Sequence, residues 1–152
     1  IGMESEEEFF YLSADSTIAS EMIAERINPR LPEGLKIHRC EKAADFKRPE
    51  ILAYRIRLKH EVFDADKIRA FEALSAYPFR RINRKGNVRD MDLKAAVAQM
   101  RLISPNTLYL ALKTEANIRP IEIIKEIFGL SEEMIRVADM IKLRLRISDG
   151  PV

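Results

Sequence analysis

The densest group of chemically active side chains in this sequence is basic. Residues 78–101 hold seven Lys and Arg residues against two acidic ones, whereas residues 1–25 hold seven acidic residues and no basic one. Guanidinium and ammonium groups bind phosphate by charge and hydrogen bonding. A surface formed by these basic residues would therefore favour the binding of a polyanion. We predict RNA phosphate contacts at Arg80, Arg81, Arg84, Lys85 and Arg89. The alternative is a solvated edge, since charged edge strands discourage aggregation of sheets.

Two alternating segments provide a second group of basic side chains. Apolar residues alternate with Arg55, Arg57 and Lys59 in one segment, and with Lys142, Arg144 and Arg146 in the other. A period of two places one row inside a sheet and the other row outside it. We predict that the two basic rows share one exposed sheet face, and the second rank of RNA contacts is Arg55, Arg57, Arg144 and Arg146.

Residues suited to catalysis or metal binding are few. The chain has two histidines, one cysteine, no tryptophan and five glycines, and it lacks a phosphate-binding glycine loop. His38 and Cys40 share one face of a predicted strand, but a zinc site needs two more ligands that no spacing predicts. Asp90 and Asp92 are a possible acid and base, yet pairing with the nearby arginines is the simpler interpretation. We predict no metal and no catalytic group, and leave open whether the chain is an enzyme.

Short strands and helices alternate along the chain. The patterns predict strands over 9–14, 35–43 and around 54–58, and helices over 17–28 and 64–77. A basic hairpin follows, with strands 79–84 and 88–93 around Lys85-Gly86-Asn87, and then a helical turn or two within 93–102. A strand around Leu108 to Leu112, a helix from Arg119-Pro120 to Gly129 and a strand from about Arg136 complete the chain.

This order of elements predicts an α+β fold of ferredoxin-like split βαβ units, mainly an antiparallel sheet with helices on one face. The 152 residues fit a single domain, 1–152, with a possible division into ferredoxin-like subunits at 1–93 and 94–152. No apolar run is long enough for a membrane span, and one cysteine fits a reducing compartment. We therefore expect a cytoplasmic protein without membrane contact.

Several short segments resemble one known family. They are Gly2-Met3-Glu4-Ser5-Glu6, Leu31-Pro32-Glu33-Gly34-Leu35, Arg84-Lys85-Gly86, Ile118-Arg119-Pro120 and Phe128-Gly129-Leu130. The chain resembles the radical-SAM-linked uncharacterised family, a bacterial domain of unknown function encoded beside, or fused to, a radical S-adenosylmethionine (SAM) protein. The resemblance covers nearly the whole chain. It also implies that a strand and helix that usually precede the Gly-Met-Glu-Ser-Glu segment are missing here.

The resemblance implies a radical SAM protein as partner. Radical SAM chemistry needs three cysteine ligands for its iron-sulfur cluster, and this chain has only Cys40. The cluster and S-adenosylmethionine are therefore expected only in the partner. The leading interpretation is an accessory domain that presents tRNA or rRNA for modification. The alternatives are a protein-interaction module, which docks to the partner or self-associates without nucleic acid, and a stand-alone enzyme that needs the missing upstream segment.

Overall fold

The computed structural model describes residues 4–5, 8, 10–15, 17–42, 49–82 and 85–143. The chain forms two compact units, one from residues 9–48 and one from residues 1–8 together with 49–152. Of the predicted RNA contacts, Arg84, Arg144 and Arg146 lie outside the described residues.

The seven strands of the described residues all lie in the larger unit. They are β1 (Glu4–Ser5), β2 (Ile51–Arg57), β3 (Pro78–Ile82), β4 (Val88–Asp92), β5 (Val97–Ser104), β6 (Thr107–Lys113) and β7 (Asp139–Lys142). Five of them form a sheet in the order β1-β7-β2-β6-β5, in which only the β1 and β7 pair is parallel. Strands β3 and β4 form a separate antiparallel hairpin.

Five α-helices accompany the strands in the part of the chain that the structure describes. They are α1 (Ser20–Ile27) in the smaller unit, and α2 (Ala65–Ala73), α3 (Leu93–Ala96), α4 (Pro120–Phe128) and α5 (Glu132–Val137) in the larger one. The predicted α+β fold with a mainly antiparallel sheet is confirmed. The ferredoxin-like assignment stays a prediction. The chain has the strand and helix order of such a unit in β2, α2, β5, β6, α4 and β7, but the β3-β4 hairpin is inserted between α2 and β5.

The core lies between one face of the sheet and the helices. Ile56 of β2 and Leu108 and Leu110 of β6 are inaccessible to solvent, as are Ile123 and Ile124 of α4. Helices α2 and α5 contribute buried apolar side chains to the same cluster. Because residues alternate along a strand, the residues between these positions lie on the opposite face of the sheet, which we call the outer face.

Local signals set several helix ends. Asp64 accepts a hydrogen bond from the backbone N–H of Asp66 and so caps α2, as predicted, although α2 ends at Ala73 and not at Tyr77. Gly129 ends α4 with a φ of 67°, in the left-handed region that glycine adopts without strain. The side chain of Lys67 donates to the Phe128 carbonyl at 2.8 Å, which ties the end of α4 to α2.

Two predicted strands in the smaller unit are wrong. The described part of 9–14 and of 35–43 contains no strand, and Phe10 and Leu35 are exposed. Within the second segment, the backbone of Ile37 is bonded to a side chain instead. Its N–H donates to Asn28 Oδ1 at 2.7 Å, and its carbonyl accepts from Asn28 Nδ2 at 3.1 Å. A strand needs a neighbour for its backbone groups, which apolar composition alone does not provide. The predicted helix over 17–28 is confirmed in its main part as α1.

In the larger unit the basic hairpin is confirmed, with Arg80 opposite Asp90 and Ile82 opposite Val88. The helical turn predicted after it ends at Ala96, and the chain continues as β5, which the sequence did not predict. The alanines favour a helix locally. Pairing with β6 outweighs this preference, because it buries Met100 and satisfies the backbone hydrogen-bonding groups of β5. Helix α5 is a second addition, and the last predicted strand is described only as far as residue 143.

Candidate nucleic-acid interface

The side chains of the basic hairpin, defined as β3, β4 and the turn between them, are partly engaged with carboxylates. Arg80 lies directly opposite Asp90, and its Nε donates to Asp90 Oδ1 at 2.8 Å. The hydrogen bond and charge of Arg80 lower the pKa of Asp90 below its usual range. The predicted charge pairing across the hairpin is therefore confirmed for Asp90. Both side chains are exposed, so this pair can open at little cost.

Arg81, in contrast, is held by the body of the larger unit. Its guanidinium donates to the carboxylate of Glu122, in the first turn of α4, and to the Asn117 carbonyl at 3.1 Å. Only 23% of the Arg81 side chain and 13% of the Glu122 side chain are exposed. A phosphate would have to compete with a carboxylate that is already in place. Arg81 thus positions the hairpin against α4.

Asp92 also has a local structural role. Its Oδ1 accepts hydrogen bonds from the backbone N–H groups of Tyr77 and Lys94, at 2.8 and 2.9 Å. These hydrogen bonds lower the pKa of Asp92, with the bond from Tyr77 contributing most. Asp92 joins the start of the hairpin to the start of α3. The remaining described cations of the hairpin, Lys85 and Arg89, are exposed.

At Lys142, the described position of the second basic row, the two predicted rows do not share one sheet face. Lys142 lies opposite Tyr54, whose side chain belongs to the core, whereas Arg55 lies opposite Ile141 on the outer face. The shared-face prediction is therefore wrong for Lys142, because β7 pairs with β2 in a register that turns this lysine towards the core side. There its Nζ contacts Glu8 Oε2 at 2.7 Å.

Arg57 forms an ion pair on the outer face. Its guanidinium donates twice to Asp139 Oδ2 on β7, at 2.7 and 3.2 Å. The hydrogen bond from Arg57 lowers the pKa of Asp139. At 63% exposure, the Arg57 side chain remains within reach of a ligand in solvent.

A row of three side chains crosses the outer face where β2, β6 and β5 run side by side. Tyr109 of β6 lies directly between Arg55 of β2 and Arg101 of β5 in the strand register. The Arg101 guanidinium carbon lies 4.7 Å from the centre of the Tyr109 ring. We call Arg55, Tyr109 and Arg101 the Tyr109 row. Both arginines are exposed and the tyrosine is half-buried.

Arg101 is not among the site residues that the sequence predicts. The sequence places Tyr109 in an alternating strand, but it predicts a helical segment around Arg101, where this side chain would not face β6. The outward alternation of Gln99, Arg101 and Ile103 is the signal that could have found it.

His38 and Cys40 line an open depression in the smaller unit, together with Glu21 and Glu41. Among the described residues no group of three His, Cys, Asp or Glu side chains is placed to hold a metal ion. Nor does any helix in the described part of the chain have the length and apolar composition needed to cross a membrane.

A family profile described as an uncharacterised protein conserved in bacteria (DUF2344) matches residues 1–120. The chain belongs to this family. The part of the chain that matches DUF2344 includes the basic hairpin and the whole Tyr109 row. No curated protein and no solved structure matches the chain.

Membership of DUF2344 confirms the expectation of an uncharacterised bacterial family. The radical SAM linkage and the missing upstream strand and helix stay predictions. The geometry of the DUF2344 chain does bring together charges that the sequence kept apart, since Arg55 and Arg101 are 46 positions apart in the chain.

Proposed function

We propose that this domain binds RNA and presents it, as a tRNA or rRNA substrate, to a radical SAM partner in the cytoplasm. The observation that carries the RNA part is the Tyr109 row, in which two exposed arginines flank an aromatic ring on the outer face of the sheet. The resemblance of the sequence to the radical-SAM-linked family supports the partner. The iron-sulfur cluster and S-adenosylmethionine would then belong to that partner, because a single cysteine cannot ligate the cluster.

The outer face favours a polyanion. Arg55, Arg57 and Arg101 lie on it, and Asp139 forms an ion pair with Arg57 there. Each arginine that neutralises a phosphate releases a counterion, so binding to such a face weakens steeply as salt rises. The contacts are to phosphate and carry no base readout by themselves.

The basic hairpin supplies further contacts in this proposal. Arg80, Lys85 and Arg89 are exposed and can bind phosphate, and Arg84, Arg144 and Arg146 remain proposed contacts. Arg81 acts differently, because its guanidinium is occupied by Glu122. We therefore assign it a positioning role.

The test is binding of this chain to tRNA and ribosomal RNA at about 50 and 200 mM salt. We expect the double substitution Arg55→Gln and Arg101→Gln to weaken binding and to lower the slope of log affinity against log salt by about two. The matched control replaces Arg69 and Arg136 by Gln, which removes the same charge from α2 and α5 on the core side of the sheet. No RNA binding at low salt would refute the proposal, and so would equal losses in the two double variants.

The second candidate, a protein-interaction module, has one observation in its favour. Ile82 and Val88 face each other across the hairpin and are 66% and 57% exposed. An apolar pair of this kind favours contact with another protein. Replacing both by Ser should abolish co-purification with the radical SAM partner, or self-association in sedimentation, if this candidate is right. Binding that persists in both assays would reject it.

A further inference from the structure

We propose that the Arg101 and Tyr109 pair is a stacking platform for an unpaired base, so that the RNA bound by the outer face is single-stranded. This inference rests on the proposed RNA binding and names its substrate class. A basic surface alone would not prefer a single strand, because a duplex presents its phosphates at higher charge density. A preference for single-stranded RNA therefore depends on the stacking platform.

The geometry of the pair supports stacking. The guanidinium carbon of Arg101 lies 4.7 Å from the ring centre of Tyr109, within the distance of a cation–π contact. This contact places the planar guanidinium of Arg101 beside the ring on the exposed outer face. Guanidinium planes and aromatic rings are the two kinds of surface on which proteins stack unpaired bases.

Two further arginines lie close to the pair on the outer face. Arg55 and Arg101 lie on strands separated by one strand, which places their backbones about 10 Å apart on the sheet. In this proposal the base stacks on the Arg101 and Tyr109 pair, and Arg55, on the other side of Tyr109, binds a phosphate. Arg57, two residues along β2 from Arg55, extends the charge along the strand.

The exposure of neighbouring residues sets the limits of the platform. Beyond the Tyr109 row in one direction, Ala53 and Ala111 face each other on the outer face and are almost fully buried. In the other direction, Ile103 is 51% exposed. On β6 itself the next residue of the outer face, Thr107, is only 8% exposed, so the accessible surface beside Tyr109 is formed by the side chains of β5.

A base in a duplex cannot reach this platform. Its faces are covered by neighbouring bases, and the wide minor groove of an RNA helix displays edges and hydroxyl groups. Tyr109 is half-buried in a sheet and cannot be inserted between base pairs. Only a splayed, unpaired base can lie flat on the pair.

The test compares the affinity of the chain for a 12-nucleotide single-stranded RNA and for its duplex, by fluorescence anisotropy of labelled strands. We expect Tyr109→Leu to weaken binding of the single strand about 5- to 150-fold and to leave duplex binding unchanged. Tyr109→Phe should keep single-strand affinity. Tyr11→Leu, an exposed tyrosine of the smaller unit, is the matched control. Arg101→Lys retains the charge without the planar group, so it should reduce the preference for the single strand.

The outcomes separate this inference from the proposed function. Salt-dependent binding that is equal for single strand and duplex refutes the stacking platform and leaves RNA binding intact. Absence of binding to either RNA refutes both. If Tyr109→Leu weakens both RNAs equally, the ring supports the sheet only; a melting temperature within a few degrees of the unsubstituted chain shows that the variant is folded.

Discussion

Arg81 on β3 and Glu122 on α4 form an ion pair that links the hairpin to the sheet-and-helix body of the larger unit. The carboxylate of Glu122 also accepts from the backbone N–H of Arg119 at 2.9 Å, at the start of α4. The Glu122 carboxylate therefore accepts hydrogen bonds both from the start of α4 and from the hairpin. The contact joins residues that are 41 positions apart.

Replacing Arg81 by Met should destabilise the chain by about 2 kcal/mol, because a mostly buried carboxylate loses its more buried cationic partner and keeps only the exposed Arg119. The measurement is the free energy of unfolding in urea. Arg80→Met is the matched control, because its pair with Asp90 is exposed, and we expect almost no change from it. Equal effects of the two substitutions would contradict the positioning role of Arg81.

The same carboxylate makes stability depend on pH. Burial alone would raise the pKa of Glu122, but hydrogen bonds from the Arg119 backbone and from the side chains of Arg81 and Arg119 outweigh it and lower the pKa. A lowered pKa in the folded state stabilises the fold above the unfolded value of 4.5, and this contribution is lost as pH falls below it. We expect Glu122→Gln to flatten the fall in unfolding free energy between about pH 5 and pH 3. A fall as steep as in the unsubstituted chain would argue against this origin.

At the end of α4, Gly129→Ala should cost about 1 kcal/mol of unfolding free energy. The glycine has a φ of 67°, and an added Cβ would meet only Lys67 Nζ, at 3.7 Å, which is an ordinary contact. The cost is therefore backbone strain and not a clash. Gly129→Asn should be less destabilising, since asparagine tolerates this conformation better. A thermal melt of both variants decides whether that order holds.

In the core, Leu110→Ala should destabilise the chain by about 2 to 5 kcal/mol, because the inaccessible side chain leaves a cavity. Leu35→Ala, at a leucine that is 63% exposed, is the control and should change stability very little. Urea unfolding followed by circular dichroism measures both. A small effect at Leu110 would mean that the sheet does not pack on α4 as described.

Much of the larger unit follows from local patterns in the sequence. The alternation around Tyr54 predicts β2, the Lys85-Gly86-Asn87 turn predicts the hairpin, and Pro120 with Gly129 predicts both ends of α4. These signals succeed because each depends on residues within a few positions of one another. The two strands predicted wrongly in the smaller unit, over 9–14 and 35–43, have an apolar composition typical of strands, but their described residues pair with no other strand.

The sequence by itself determined which residues are basic, which strands alternate and where the chain turns. Only the tertiary structure decided which basic side chains form ion pairs or contact an aromatic ring. It joins Arg57 to Asp139 across 82 positions, turns Lys142 towards the core side, and places Arg101 against Tyr109. These outcomes depend on strand register, and a shift of one residue exchanges the two faces of a strand. A turn sets register within a hairpin, whereas the register of strands distant in the chain, such as β2 and β7, is set by long-range burial and pairing.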